Sequence, residues 1–160
     1  MTQDFDRLLQ RLANSGLEFV IIGGFAAVTH GSALMTRDLA VCVVLTDETV
    51  EKLRTTLADW HPKHRMTPEN LSFLDFPKQG PVQNLYLETD YGIVDVLSSV
   101  LGVGDFQRLK QTAEDFEIRG RNYSVISLED LIAAKQAVGR ERDLLAVKEL
   151  KAIAAKRALG

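Results

Sequence analysis

Two of the most apolar segments of the chain each contain a single aspartate, and this feature strongly constrains the fold. The segments are "DLAVCVVL" (38–45) and "GIVDVL" (92–97), and both are typical of β-strands. Burying an ionised carboxylate costs several kcal/mol unless a cation or hydrogen-bond donors compensate it. The fold must therefore bring such groups to Asp38 and Asp95, or leave the two carboxylates at solvent-facing strand ends.

The period of a β-strand decides which way these side chains point. Because side chains alternate along a strand, Asp38 and Ala40 lie on the same face of the first strand, and Asp95 lies on one face of the second strand. If the strands are neighbours, the two carboxylates can converge on one cation, and Mg²⁺ is usually held by carboxylates together with phosphate oxygens. The alternative is that each aspartate has a structural role and bonds to loop amides.

The rest of the chain alternates between helical and extended patterns. Helices are predicted over 3–15, after Gly23-Gly24, from Thr46 or Asp47 to Trp60, after Asp105, from Ser127 to about Gly139, and over the C-terminal segment. Further strands are predicted over 17–22, 84–89 and, as a hairpin, 116–126, with an edge strand at 71–75 inside a proline-containing loop (61–82). This order indicates one α/β (α+β) domain over 1–160 with a mixed sheet, including C-terminal helices at 128–158.

Composition and charge exclude several classes of protein. The chain is 46% hydrophobic, has one cysteine and carries a net charge of −3. We expect no internal disulfide, no membrane span, no signal peptide and no strong non-specific binding to nucleic acid, and hence a cytoplasmic protein. Residues 135–160 carry a net charge of +4, which suits either phosphate binding or a solvated helix face.

The Gly23-Gly24 pair follows a predicted strand and opens a predicted helix. Backbone N–H groups at a helix start attract phosphate, and glycine lets a ligand approach closely. Such a pair is also common in ordinary turns. The pair alone therefore leaves both interpretations open.

These segments together resemble a known superfamily. The pattern hydrophobic-Gly-Gly, then "TRDLAVCV", then "GIVDVLSS" resembles the DNA polymerase β-type nucleotidyltransferases, and "VISLEDLIAAKQAVGRERDLL" extends the similarity to the small AbiEii-toxin-related and minimal nucleotidyltransferase families. The resemblance covers roughly residues 17–150. It implies the nucleotidyltransferase fold and transfer of a nucleoside monophosphate from an NTP to a hydroxyl.

The resemblance also implies roles for individual residues. In this superfamily two Mg²⁺ ions (or Mn²⁺) clamp the displacement at the α-phosphate. Asp38 matches the first metal-binding carboxylate, Asp95 the third, and Gly23 and Gly24 the phosphate-binding pair. Ala40 stands where the second carboxylate of an Asp-x-Asp motif is expected, so we expect metal binding and turnover to be impaired.

The alanine at position 40 has three open explanations. It is an engineered inactivation, or it is the natural residue of a pseudoenzyme, or the family match is wrong and another carboxylate such as Glu88 or Asp90 replaces it. The sequence does not separate these explanations. The residue in the natural source sequence would decide between the first two.

Several polar residues are candidates for binding nucleotide, and each also has an ordinary structural explanation. Lys135, Arg140 and Arg142 match a family-like segment that can contact the triphosphate, although surface positions or helix capping by Asp143 explain them too. The remaining candidates are Arg37, which could equally form a structural ion pair, and Ser32, which could equally belong to a turn.

The sequence supports two functional hypotheses. The first is an NTP- and Mg²⁺-dependent nucleotidyltransferase acting on tRNA, protein or a small molecule. The second, which Ala40 favours, is a non-catalytic module that binds a nucleotide or a partner protein, such as one member of a toxin–antitoxin pair. His61 and His64 have a metal-like spacing, but the basic "HPKHR" segment indicates a solvated loop.

Overall fold

A seven-stranded mixed β-sheet forms the centre of the computed structural model, which describes residues 3–78 and 80–160. The strands of the chain are β1 (Val20–Ile22), β2 (Asp38–Cys42), β3 (Lys63–His64), β4 (Asn84–Thr89), β5 (Gly92–Leu97), β6 (Ser99–Val100), β7 (Gly104–Asp105), β8 (Glu114–Ile118) and β9 (Arg121–Val125). The order across the main sheet is β3-β4-β5-β2-β1-β9-β8, and β6 pairs with β7 separately. The β2–β5 and β1–β9 pairs are parallel, and the other pairs are antiparallel.

Six α-helices accompany the sheet in the described part of the chain. They are α1 (Phe5–Asn14), α2 (Gly23–Thr29), α3 (Asp47–Leu57, continued by a 3₁₀ turn over Ala58–Trp60), α4 (Phe106–Thr112), α5 (Leu128–Val138) and α6 (Glu141–Leu159). Three residues at predicted helix starts, Thr46, Asp105 and Ser127, are N-caps, and each accepts a hydrogen bond from a backbone N–H of the first turn. These caps fix where three of the helices begin.

The register between β2 and β5 separates an apolar face from a polar one. Leu39 lies opposite Val94 and Val41 opposite Val96, and all four side chains are fully buried in the core. Because side chains alternate along a strand, Asp38, Ala40 and Asp95 point to the other face. That face is only partly covered at β2, where Asp38 and Ala40 are half-buried. The candidate residues therefore lie at the border between the sheet and a cleft.

The predicted fold class, one α+β domain with a mixed sheet flanked by helices, is confirmed. The edge strand predicted at 71–75 is wrong, because only an isolated bridge between Ser72 and Lys63 forms there and β3 is the strand at that edge of the sheet. Arg54 donates to the Phe73 and Pro77 carbonyls, so these backbone groups are bonded without a strand partner. No helix in the described residues is long and apolar enough to cross a membrane.

Candidate functional site

The two aspartates lie on adjacent parallel strands and on the same face of the sheet. Asp95 lies directly opposite Ala40 on the paired strand. Asp38 lies opposite Ile93, two residues earlier on both strands. A carboxylate at position 40 would therefore stand beside Asp95. The Asp95 side chain is 10% exposed and that of Asp38 is 44% exposed, so only Asp95 is deeply buried.

Arg65 lies between the two carboxylates. Its Nε donates to Asp95 Oδ1 (3.1 Å) and its Nη2 to Asp95 Oδ2 (2.6 Å), which is the bidentate geometry of a strong ion pair. The same Nη2 lies 3.8 Å from Asp38 Oδ2. Both carboxylates thus face one guanidinium.

The backbone around β3 holds Arg65 in this position. Its N–H donates to the Tyr86 carbonyl, and its guanidinium carbon lies 5.5 Å from the centre of the Tyr86 ring. Tyr86 is in turn the register partner of Asp95. The row Tyr86–Asp95–Ala40 therefore runs across three strands, and the arginine reaches Asp95 over the tyrosine.

The electrostatics of Asp95 reflect two opposing effects. Burial raises the pKa of Asp95, and the hydrogen bond and charge of Arg65 oppose that increase. The nearby Asp38 charge raises the pKa further. The hydrogen bond to Asp95 also raises the pKa of Arg65, so this guanidinium stays charged.

The glycine pair begins α2, as predicted, and lies next to position 40. Gly23 has φ +71°, and a Cβ added there would lie 3.4 Å from the Ala40 Cβ. A Cβ on Gly24 would lie 2.5 Å from Thr36 Oγ1, so close packing of Thr36 already requires glycine at this position. The phosphate role of the pair stays a prediction.

A cavity of about 600 Å³ joins the strand ends to the C-terminal helices, a size typical of small-molecule sites. Its sheet side is lined by the predicted site residues Gly24, Ser32, Arg37, Asp38, Ala40 and Asp95, and its helix side by Lys135, Arg140 and Arg142. Gly23 is the one predicted site residue that does not line it. The cavity therefore brings together residues that lie more than a hundred positions apart in sequence.

Acidic residues hold some of the predicted phosphate-binding side chains. Asp143 caps α6 by accepting from the Arg140 backbone N–H and Nε, and Lys135 Nζ lies 3.8 Å from the same carboxylate. Hydrogen bonds from Arg140 lower the pKa of Asp143 despite its burial. Glu149 likewise accepts from the Ser32 hydroxyl, so Ser32 must exchange this partner before it can donate to a phosphate.

The fold matches solved nucleotidyltransferases along nearly its whole length. LnuA, a lincosamide antibiotic adenylyltransferase with lincomycin bound, is 16% identical and covers 96% of this chain and 99% of its own, with a TM-score of 0.64. A protein from Thermotoga maritima assigned as a nucleotidyltransferase is 17% identical, covers 93% of this chain and 94% of its own, and has a TM-score of 0.58. The chain has the nucleotidyltransferase fold.

A third nucleotidyltransferase-fold relative is an antigenic nucleotidyltransferase-like protein from Paracoccidioides brasiliensis. It is 18% identical and covers 91% of this chain and 71% of its own, with a TM-score of 0.50. No protein-family model matches the sequence, and no curated protein matches it significantly. The structural comparisons establish the fold. The narrower relationship to the AbiEii or minimal nucleotidyltransferase families stays a prediction.

The donor set does not fit the two-ion site that the nucleotidyltransferase resemblance implies. Among the described residues, no three His, Cys, Asp or Glu side chains are grouped so that they could hold a metal ion. Glu88 and Asp90 do not complete the set, since neither lines the cavity and Asp90 is bonded to His61. Arg65 already supplies a positive charge to both aspartates.

The sequence interpretation missed two site residues, Arg65 and Glu149. Arg65 belongs to "HPKHR", a segment whose sequence predicts a solvated loop, and its contact with Asp95 depends on the β3–β4 pairing. The one available signal was the need of a buried aspartate for a cation. Glu149 gave no signal, because an acidic residue on an amphipathic helix usually faces solvent.

Proposed function

We propose that the cavity binds the polyphosphate of a nucleoside triphosphate, and that the active form of this protein transfers a nucleoside monophosphate to a hydroxyl acceptor. One observation carries the proposal: Asp38 and Asp95 share a cavity with basic side chains from α5 and α6. A triphosphate needs both, because its reacting phosphate must reach the carboxylates while its other phosphates need positive charge. The shared fold of LnuA supports the same assignment.

We further propose that the chain with Ala40 transfers nucleotide weakly or not at all. Ala40 lies beside Asp95, and position 40 is the one at which the resemblance places a further metal-binding carboxylate. Without it the site has two carboxylates, and one of them is already bonded twice to Arg65. Alanine occupies less space than aspartate, so we expect the change to affect charge rather than the fold.

The test compares the unmodified chain, which has Ala40 and is called the native chain from here on, with the variant Ala40→Asp. ATP, GTP, CTP and UTP binding is measured by calorimetry with Mg²⁺ and with EDTA, and transfer is followed with radiolabelled NTPs. LnuA acts on a lincosamide antibiotic, so the acceptor panel includes such antibiotics beside RNA and protein from a cell extract. We expect both chains to bind an NTP, and Ala40→Asp to gain Mg²⁺ affinity and transfer.

Matched variants and two negative results make this test decisive. Arg142→Ala changes a residue that lines the cavity, whereas Lys148→Ala changes an exposed residue of the same helix that does not. If Lys148→Ala loses NTP affinity and Arg142→Ala does not, the NTP binds outside the cavity. Absence of NTP binding in both the native chain and Ala40→Asp would refute the proposal.

The second candidate is a non-catalytic module that binds a nucleotide or a partner protein. Ala40 favours it, and so does the Arg65 ion pair, because the two together weaken the basis for metal-dependent transfer. NTP binding with no transfer in either version would favour this candidate. A toxin or antitoxin partner stays a prediction, and co-purification of a cognate protein from the native host would test it.

A further inference from the structure

We infer that Arg65 takes the place of the cation between Asp38 and Asp95, and that anion binding in the cavity therefore does not depend on a divalent ion. The first part concerns the geometry of the two carboxylates alone. The second part rests on the proposed function, because it assumes that phosphates enter this cavity. The experiments below separate the two parts.

The contacts of Arg65 are those of a built-in cation. One guanidinium nitrogen, Nη2, lies 2.6 Å from Asp95 and 3.8 Å from Asp38, so a single positive group faces both carboxylates. Nε adds the second bond of a bidentate pair with Asp95. The Tyr86 carbonyl accepts from the Arg65 backbone N–H, the Tyr86 ring lies next to the guanidinium, and the Arg65 side chain is 22% exposed.

A divalent ion and this guanidinium compete for the same two carboxylates. Arginine does not lose its charge in proteins, so no change of protonation frees the carboxylates. Mg²⁺ demands near-octahedral oxygen coordination, and two aspartates that already neutralise one positive charge supply little of it. Alanine at position 40 removes the third oxygen donor that could shift the balance toward the metal.

The charge pattern of the cavity suits an anion that arrives without a metal. Arg65 offsets one of the two negative charges of Asp38 and Asp95, and Arg140 and Lys135 offset the charge of Asp143. In the part of the chain that the structure describes, Arg37 and Arg142 line the cavity and form no ion pair. These two side chains are the cations left for a phosphate.

The first experiment measures Mn²⁺ alone, with no nucleotide present, by electron paramagnetic resonance. The native chain is compared with Arg65→Met and Arg65→Lys, and Arg108→Met serves as a control that breaks another bidentate Arg–Asp pair. We expect no binding at millimolar Mn²⁺ in the native chain and in the control. In Arg65→Met the Mn²⁺ affinity should rise at least tenfold. The gain should be smaller in Arg65→Lys, because lysine keeps the positive charge but cannot form the bidentate pair.

A second measurement on the native chain does not depend on the folding of any variant. The NMR signal of the Arg65 Nε–H should stay sharp in millimolar Mn²⁺, since an ion held by Asp38 and Asp95 would broaden it. Broadening of that signal at stoichiometric Mn²⁺ would overturn the inference. So would equal Mn²⁺ affinity in the native chain and in the folded Arg65 variants.

The third measurement tests the second part of the inference with tripolyphosphate and ATP. We expect equal affinity of the native chain in EDTA and in Mg²⁺, and a loss of at least tenfold in EDTA for Arg65→Met that Mg²⁺ partly restores. A native affinity that requires Mg²⁺ would overturn the metal independence. Failure of every version to bind either anion would refute the proposed function but would leave the Mn²⁺ result for Arg65 standing.

Discussion

Two arginine–aspartate pairs in this protein have nearly the same geometry and different surroundings. Arg65 binds Asp95 with two hydrogen bonds of 3.1 and 2.6 Å, and Arg108 binds Asp130 with two of 3.1 and 3.0 Å. Both aspartate side chains are about 90% buried. The Thr112 hydroxyl also donates to Asp130, whereas Arg65 is the one donor to the Asp95 carboxylate among the described residues.

The two carboxylates consequently differ in pKa. Burial raises the pKa of Asp130, but hydrogen bonds from Thr112 and Arg108 outweigh that effect, and the net shift is downward. The pKa of Asp95 is raised, since burial outweighs the single arginine and Asp38 adds a like charge. The Arg108 pair therefore holds α4 against α5 as a satisfied structural contact. The Arg65 pair leaves a carboxylate that is incompletely compensated, as in many functional sites.

The largest expected difference between the pairs comes from removing each arginine. Arg65→Met leaves Asp95 without a donor and should cost about 3 kcal/mol of unfolding free energy at neutral pH. Arg108→Met leaves the Thr112 hydroxyl in place and should cost about 1–2 kcal/mol. Urea denaturation measures both, and a typical domain stability of about 5–15 kcal/mol keeps both variants folded. Equal losses would contradict the distinction between the two pairs.

A second difference should appear in the pH dependence of stability. The lowered pKa of Asp130 means that its contribution is present above the unfolded pKa, about 3.9, and is lost as pH falls through the folded value. The raised pKa of Asp95 has the opposite sign: the folded state binds the proton more readily, so the native chain gains stability as pH falls through that value.

The variants Asp130→Asn and Asp95→Asn isolate the two contributions. The stability advantage of the native chain over Asp130→Asn should be constant near neutral pH and shrink as pH falls below about 4. Its advantage over Asp95→Asn should instead grow as pH falls from neutral toward about 4. Urea denaturation at several pH values measures both differences, and parallel curves for the two variants would show that Asp95 is as well compensated as Asp130.

The sequence predicted the fold better than it predicted the partners within the site. Local signals sufficed for the capped helices, for β4 and for the α+β class, because caps and apolar periodicity are properties of neighbouring residues. The cavity gathers all but one of the residues that the resemblance singled out. The contact between Arg65 and Asp95 could not be predicted from neighbouring residues, because it requires β3 to pair with β4 and so depends on tertiary structure.

Adding a carboxylate at position 40 should have a smaller effect on the stability of the metal-free chain. In Ala40→Asp a new anion lies beside Asp95, and like charges on paired strands cost up to about 1 kcal/mol. Thermal melting in EDTA should therefore show a modest decrease, and added Mg²⁺ should reverse it. An unchanged melting temperature in both conditions would show that position 40 does not point at the carboxylate pair.

The smallest expected stability effects concern the cavity arginines that form no ion pair in the described chain. Arg37→Ala and Arg142→Ala should change the unfolding free energy by no more than about 0.5 kcal/mol, because both side chains are exposed. Each should nevertheless weaken tripolyphosphate binding in EDTA about twofold to fivefold, the size of one exposed charge contact. Lys148→Ala is the matched control on α6 and should change neither quantity. If the control weakens binding as much as Arg142→Ala does, the affinity reflects the general positive charge of α6. The comparison would then no longer separate cavity arginines from ordinary surface charge.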